Sequence, residues 1–247
     1  MHRFLIFSFI LLAVSCSTGS LRTESPAQKE KVSFATNPAG RGPGITVDLT
    51  PGESFYYPLF AIWLETAEGE YIQTLYVAKA VATGIFEYGK QEKNKWVTAP
   101  RRAPQTLPYW AHKRGIRAAD GLFMPDERTT VPDAYTGATP KTGFIMTSRA
   151  DNPLPGKFRV MLEINQNWDW NEYWTNNRFP DDENYKWSAQ PALVFEVLID
   201  MNSPQESYTM KPAGHSHYSG KTGELFTDLG SMTTALNIAA SIVVKVK

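Results

Sequence analysis

The chain has 247 residues, with 25 basic and 25 acidic side chains, four histidines and a single cysteine. This length suits one sizeable domain or two small ones. The balanced charge gives no electrostatic case for nucleic-acid binding, and one cysteine excludes a disulfide within the chain or a cysteine metal cluster. The 17 prolines, 17 glycines and 13% aromatic residues are typical of a β-rich, loop-rich protein with a substantial core.

The first residues of the chain predict an export signal. Met1 and Arg3 belong to a short basic start, and residues 4–14 are apolar apart from Ser8. At about 11 residues this stretch is too short to span a bilayer, which takes ~20 residues. Its length and flanks are those of a signal-peptide core.

The residues that follow predict a lipid anchor. Small residues stand directly before the cysteine in Leu12-Ala13-Val14-Ser15-Cys16, which resembles the bacterial lipobox. The resemblance implies removal of a signal peptide of residues 1–15 and acylation of Cys16. The protein would then be held to a bacterial membrane outside the cytoplasm, facing the periplasm or the cell surface. The alternative is an ordinary signal peptide whose apolar segment happens to end near a cysteine.

The rest of the chain is expected to form a tether and one domain. Residues 16–31 are rich in Ser, Thr, Lys and Glu and predict a flexible tether. Residues 32–247 contain neither a second linker nor an internal repeat, and they predict a single domain.

Alternating apolar and polar residues predict about seven strands in this domain. Without regular helical spacers, these strands favour an all-β fold, an immunoglobulin-like antiparallel sandwich with long irregular insertions and at most short helices. The segments 59–65 and 71–79 are expected to form a β-hairpin. The other predicted strands are residues 45–49, 158–164, 192–200, 208–210 and 241–247.

Two long irregular regions interrupt the strands, at about residues 84–143 and 165–190. A short helix is expected near residues 107–114. Loops of this length in a compact domain are usually functional, so we expect the site to lie in one of them.

A polar motif lies in the first irregular region. Residues 133–139 read Asp-Ala-Tyr-Thr-Gly-Ala-Thr, of the form D-x-x-[S/T]-G-A-[S/T], between Pro132 and Pro140. The prolines disfavour helix and central strand, Gly137 leaves room for a close approach, and Asp133 could shape a turn by bonding backbone N–H groups. The alternative is a simple polar turn, since Asp, Thr and Gly favour turns in any case.

The motif resembles the flavinylation motif of the FMN-binding subunits of sodium-pumping NADH:quinone oxidoreductase and related membrane electron-transfer complexes. There an FMN transferase esterifies the phosphate of FMN onto the last hydroxyl. Carried over by position, the resemblance implies that Thr139 carries covalent FMN through a phosphoester. It also implies that Asp133, Thr136, Gly137 and Ala138 are recognition elements for an FMN transferase that uses FAD as donor.

Other segments carry a second resemblance. Residues 60–65, 157–160 and 192–200 are similar to an uncharacterised family of bacterial periplasmic domains whose members often occur alongside FMN transferases and membrane-bound flavin or iron reductases. The resemblance implies a flavin-bearing electron carrier rather than an enzyme with its own substrate. It would work between a membrane-bound electron-transfer protein and an acceptor such as ferric iron. The sequence has no serine-hydrolase elbow, Walker loop or dinucleotide glycine pattern that would support another chemistry.

Residues 166–177, rich in Trp, Tyr and Asn, carry the alternative function. If they are exposed, their rings and amides would suit a surface lipoprotein that binds glycans or another ligand. Otherwise the tryptophans fill the core of a pinned loop.

No metal site is predicted, because no spacing brings His112 to the pair His215 and His217. A basic set upstream of the motif consists of Arg101, Arg102, Lys113, Arg114 and Arg117. It could hold the FMN phosphate or dock an acidic partner. The alternative is that these residues form an ordinary solvated face.

Overall fold

The computed structural model describes residues 30–247, so the expected signal peptide, Cys16 and most of the tether lie outside the described residues. The described residues form thirteen strands, three short α-helices and two 3₁₀ turns, Asp133–Tyr135 and Thr234–Asn237. The strands are β1 (Val32–Thr36), β2 (Gly44–Pro51), β3 (Leu59–Thr66), β4 (Tyr71–Ala78), β5 (Ile85–Glu92), β6 (Lys95–Pro100), β7 (Thr136–Gly137), β8 (Phe144–Arg149), β9 (Lys157–Asn165), β10 (Leu193–Asp200), β11 (Tyr208–Thr209), β12 (Lys211–His215) and β13 (Ala239–Val246). The helices are α1 (Lys79–Thr83), α2 (Pro108–Arg114) and α3 (Tyr185–Ser188).

Two sheets form a sandwich. The five-stranded sheet has the order β1-β8-β2-β13-β11, and the six-stranded sheet has the order β12-β10-β9-β3-β4-β7. Strands β5 and β6 form a separate two-stranded hairpin. Most neighbours are antiparallel, but the β1–β8 and β4–β7 pairs, each at the edge of a sheet, are parallel. The predicted all-β sandwich with long insertions and short helices is confirmed.

The main core lies between the two sheets. Ile45, Val47 and Leu49 on β2 are fully buried, as their alternation predicts. Aromatic rings fill the end of the core near β1: Phe60 on β3 stacks on Phe144 on β8, with centroids 4.8 Å apart and planes 8° apart. Apolar burial of this kind is the main stabilising term of the domain.

A second apolar layer covers the outer face of the six-stranded sheet. Trp63 on β3 and Trp110 on α2 are fully buried there, in the same cluster as Val77 and Val81. Strand β3 is therefore buried on both faces, which explains why its sequence LFAIWLE is nearly continuous in apolar residues rather than alternating.

The predicted elements are found close to where they were expected. The β3–β4 hairpin is antiparallel, and the helix expected near residues 107–114 is α2. The irregular region 84–143 contains a hairpin that was not predicted, β5–β6. Its strands are mostly exposed, so they carry no apolar alternation. Lys93 and Asn94 close it with φ of 46° and 60°, values typical of a type I′ turn.

The domain side of the tether is anchored. Lys31 forms an ion pair with Asp48 and donates to the hydroxyl of Thr50 at 2.8 Å, so the last residue of the expected tether is bound to β2.

Within residues 30–247, no helix is long and apolar enough to cross a membrane.

Candidate functional site

The motif of residues 133–139 lies at one edge of the six-stranded sheet. Residues Asp133–Tyr135 form a single 3₁₀ turn, and β7 follows it directly. Strand β7 pairs in parallel with the end of β4, where Thr136 lies opposite Val77 and Gly137 lies opposite Ala78. Because β7 is the last strand of its sheet, another protein can approach the motif from outside the domain.

Tyr76 on β4 fixes the motif backbone. Its hydroxyl lies 3.2 Å from the carbonyl oxygen of Gly137 and 3.0 Å from that of Ala138, and it donates to both. Its ring packs in the sandwich core, with centroids 5.2 Å from Phe34 and 5.1 Å from Phe60. Burial raises the pKa of the Tyr76 phenol well above its ordinary value. The phenol therefore stays protonated and remains a donor.

Close packing explains why position 137 of the motif is a glycine. A Cβ built on Gly137 would lie 3.0 Å from Cε2 of Tyr76, closer than an ordinary contact between carbon atoms. From the sequence, Gly137 is interpreted as leaving a clear approach to Thr139. The structure adds that Gly137 lets β7 lie directly against the Tyr76 ring.

Asp133 shapes the turn through its backbone rather than its side chain. Its carbonyl oxygen accepts from the N–H of Thr136 and, at 3.4 Å, from the Thr136 hydroxyl. Among residues 30–247, nothing hydrogen-bonds the exposed carboxylate of Asp133. The neighbouring Tyr135 hydroxyl donates to both carboxylate oxygens of Asp151 at 2.9 Å, which ties the turn to the domain. Burial and Asp151 raise the pKa of Tyr135 to about 12.

Thr139 is half-exposed, between the exposed Ala138 and the buried Pro140. In the described part of the chain its hydroxyl has no hydrogen-bond partner, although the backbone one and two residues before it is held by Tyr76. A hydroxyl on a fixed backbone and open to solvent is what an acceptor for a transferase requires. The partly exposed Thr139 hydroxyl therefore fits the acceptor of a phosphoester link.

The Trp- and Asn-rich loop is partly a pinned loop. Trp174 is buried, and the Asn171 side chain accepts from the N–H groups of Tyr173 and Trp174 and donates to the carbonyl oxygen of Ser231. In contrast, Trp168 is 57% exposed and Tyr173 is 47% exposed. The loop thus has both buried and exposed rings.

A cleft of 570 Å³ lies beside this loop. It is at the edge of the six-stranded sheet that β12 forms, opposite the edge formed by β7. Five inter-strand spacings of about 4.8 Å place the two edges roughly 24 Å apart, so the structure does not bring the cleft to the motif. Residues that line the cleft include Trp174, Arg178, Phe179, His215, Tyr218 and Phe226.

The histidines hydrogen-bond within the domain. His215 is buried with Nδ1 2.8 Å from the carbonyl oxygen of Ser216, and His112 has Nδ1 2.7 Å from that of Pro108. His217 accepts from the N–H of Ser219, and burial lowers its pKa. Over residues 30–247, no three or more His, Cys, Asp and Glu side chains are grouped to hold a metal ion.

The five basic residues upstream of the motif make contacts inside the domain. Arg102 pairs with Asp120 at 2.6 Å, and Lys113 lies 3.5 Å from Glu65. Two others donate to carbonyl oxygens, Arg114 to Thr129 and Arg117 to Gly121. The fifth, Arg101, stacks over Trp187 at 3.7 Å. These contacts favour a structural role for the set over an open phosphate site.

Sequence reasoning found the motif but missed the residues that hold it. Tyr76 and Asp151 belong to other elements, and neither strand pattern nor local spacing marks them. Comparison of the chain with models of protein families, with curated proteins and with solved structures found no match.

Proposed function

We propose that this protein is an extracytoplasmic lipoprotein that carries FMN on Thr139 and works as an electron carrier. The observation that supports the proposal is the partly exposed Thr139, which lies two residues beyond the edge strand β7 and directly after a backbone held by Tyr76. A partly exposed acceptor on a fixed backbone combines access for a second enzyme with a defined place for the cofactor.

The attachment reaction balances with FAD as donor. The Thr139 oxygen attacks the phosphorus on the FMN side of the FAD pyrophosphate, and a new P–O bond forms. The bond between the two phosphates breaks, AMP leaves, and the hydroxyl proton passes to a base of the transferase. The exposed carboxylate of Asp133 is available to bind the transferase, since the turn is held by the backbone instead.

The attached flavin would supply the redox chemistry, while the protein supplies position and surroundings. A covalent link keeps the cofactor from being lost outside the cytoplasm. The lipid on Cys16 would keep the domain within reach of a membrane-bound reductase, which gives electrons to the flavin. The flavin would pass them to an acceptor such as ferric iron.

Intact mass tests the proposal. The mature domain is exported together with an FMN transferase, as the parent and as Thr139→Ala, Thr139→Ser and Thr142→Ala. Thr142 is the matched control, a half-exposed threonine three residues beyond the site. We expect one esterified FMN on the parent, on Thr139→Ser and on Thr142→Ala, and none on Thr139→Ala. An unmodified parent, with the transferase active on a known acceptor, would refute the proposal.

The cleft supports a second candidate, a surface lipoprotein that binds glycans. Its wall carries the exposed Tyr173, and Arg178 lies 3.6 Å above that ring. Retention on immobilised polysaccharides by a protein free of flavin, lost in Tyr173→Ala, would favour this candidate. The neighbouring rings are already paired, since Phe179 stacks on Tyr218 at 4.1 Å, so less of the wall is free than its aromatic content suggests.

A further inference from the structure

Two adjacent tyrosines project into solvent just before β3. Tyr56 is 71% exposed and Tyr57 is 56% exposed, and their ring centroids lie 4.6 Å apart in an edge-to-face arrangement. Each ring could have contributed to stability by packing on the core. Their exposure therefore calls for another explanation.

The backbone that presents these rings is strained but fixed. Tyr57 has φ of +57°, a left-handed conformation that bulky residues rarely adopt. The N–H of Tyr56 donates to the side-chain oxygen of Gln166 at 2.6 Å, and the Gln166 amide donates to the carbonyl oxygen of Ser54 at 3.1 Å. Strain that is held in place in this way is often found at functional sites.

The topology places the two tyrosines close to Thr139. Strand β3 starts at Leu59 and is antiparallel to β4, while β7 is parallel to β4, so the start of β3 and the end of β7 lie at the same end of the sheet. Lys141 makes the connection direct, because its Nζ is 5.7 Å from the centroid of the Tyr57 ring. Two residues of extended chain between Thr139 and Lys141 span at most ~7 Å.

We propose that Tyr56, Tyr57 and Lys141 form the surface on which the isoalloxazine ring of the attached FMN rests, a role that depends on the proposed function. A planar aromatic ring tethered at Thr139 can stack on the face of one of these exposed rings and meet the edge of the other, because the two tyrosine planes are 76° apart. The Lys141 ammonium group supplies the complementary charge, because a reduced flavin carries more negative charge than an oxidised one. The surface thus positions the cofactor and favours its reduced form.

Fluorescence per attached flavin tests this surface. A tyrosine ring stacked on a flavin quenches the flavin fluorescence, so the flavinylated parent should be strongly quenched. The double variant Tyr56→Ala/Tyr57→Ala should keep one FMN by intact mass and fluoresce several-fold more brightly, with loss of the visible circular dichroism band. Tyr173→Ala is the matched control, an exposed tyrosine at the opposite edge of the sheet, and it should behave as the parent does.

The two readouts separate the two proposals. A parent without added mass would overturn the proposed function and this surface with it. Full FMN content with equal fluorescence in the parent and the double variant would overturn the surface alone. If the double variant takes up no FMN, the redox potential of flavinylated Lys141→Gln decides: a more negative potential than that of the parent supports the surface, and an unchanged one refutes it.

Discussion

At the residue scale, the motif is defined by contacts as well as by chemistry. Gly137 stands where a Cβ would press on the Tyr76 ring, and Tyr76 in turn holds the two carbonyl groups that precede Thr139. The glycine of the motif therefore serves the packing of the sheet edge.

We expect Gly137→Ala to destabilise the domain by about 1 kcal/mol, because overpacking against a buried ring costs that much or more. It should also lower the fraction of protein that receives FMN, since the displaced β7 no longer presents Thr139 correctly. Urea unfolding and intact mass measure the two effects. The control is Gly44→Ala, whose new Cβ would meet only the carbonyl oxygen of Lys247 at 3.9 Å. Equal stability of the two variants would contradict the packing argument.

At the element scale, one buried carboxyl group fastens α2 to the six-stranded sheet. Glu163 lies near the end of β9 and is fully buried. Its two oxygens accept from the N–H of Tyr109 at 3.1 Å and of Trp110 at 2.8 Å. These N–H groups are among those that a helix N-terminus leaves without partners inside the helix. Burial raises the pKa of Glu163 to about 8.

This pKa predicts that stability falls as the pH rises. Between the unfolded value of 4.5 and the folded value of about 8, the native state holds a proton that the unfolded chain has lost. Raising the pH through that window therefore favours unfolding, by at most ~1.4 kcal/mol per pH unit. We expect the urea concentration at the midpoint of unfolding to fall as the pH is raised from 5 to 6.5 and then to 8. This fall is expected for the parent and for the control Glu53→Gln, whose site is exposed. The slope should be smaller for Glu163→Gln, and an unchanged slope would refute the assignment.

At the scale of the whole molecule, the two edges of the six-stranded sheet carry separate features. The motif and the tyrosine surface lie at the β7 edge, while the aromatic cleft lies at the β12 edge. Substitutions at sites this far apart, with no shared partners, have additive effects on stability. The two candidate functions can therefore be tested independently in one protein.

The proposed anchor predicts where the molecule is found. Cys16→Ala, exported behind a signal peptide whose removal does not require acylation, leaves the described domain untouched and should shift the protein from the membrane fraction to the released fraction. A single acyl chain binds membranes only weakly, so stable retention needs more than one chain on the cysteine. Fractionation with metabolic labelling by a fatty acid measures both effects. Equal FMN content in the two forms is expected, because Thr139 lies in the domain, and a membrane-bound Cys16→Ala would contradict the anchor.

The sequence alone determined the features that depend on local pattern. Alternation placed β2, β9 and β10, and a continuous apolar run followed by a turn placed the β3–β4 hairpin. The motif of residues 133–139 was readable because its spacing is itself the signal. The exposed β5–β6 hairpin was not readable, because solvated strands impose no periodicity on their residues.

Only the tertiary structure decided what surrounds the motif. Tyr76 and Gly137 are 61 residues apart in the chain, and strand pairing alone makes them neighbours. The same holds for Tyr57 and Lys141, which meet because the starts and ends of three strands share one end of a sheet. Such contacts depend on strand order and register. A single sequence shows which residues are apolar enough to be buried, but it does not show which strands pair. The motif was thus readable from local sequence, and the geometry that presents it was set by the fold.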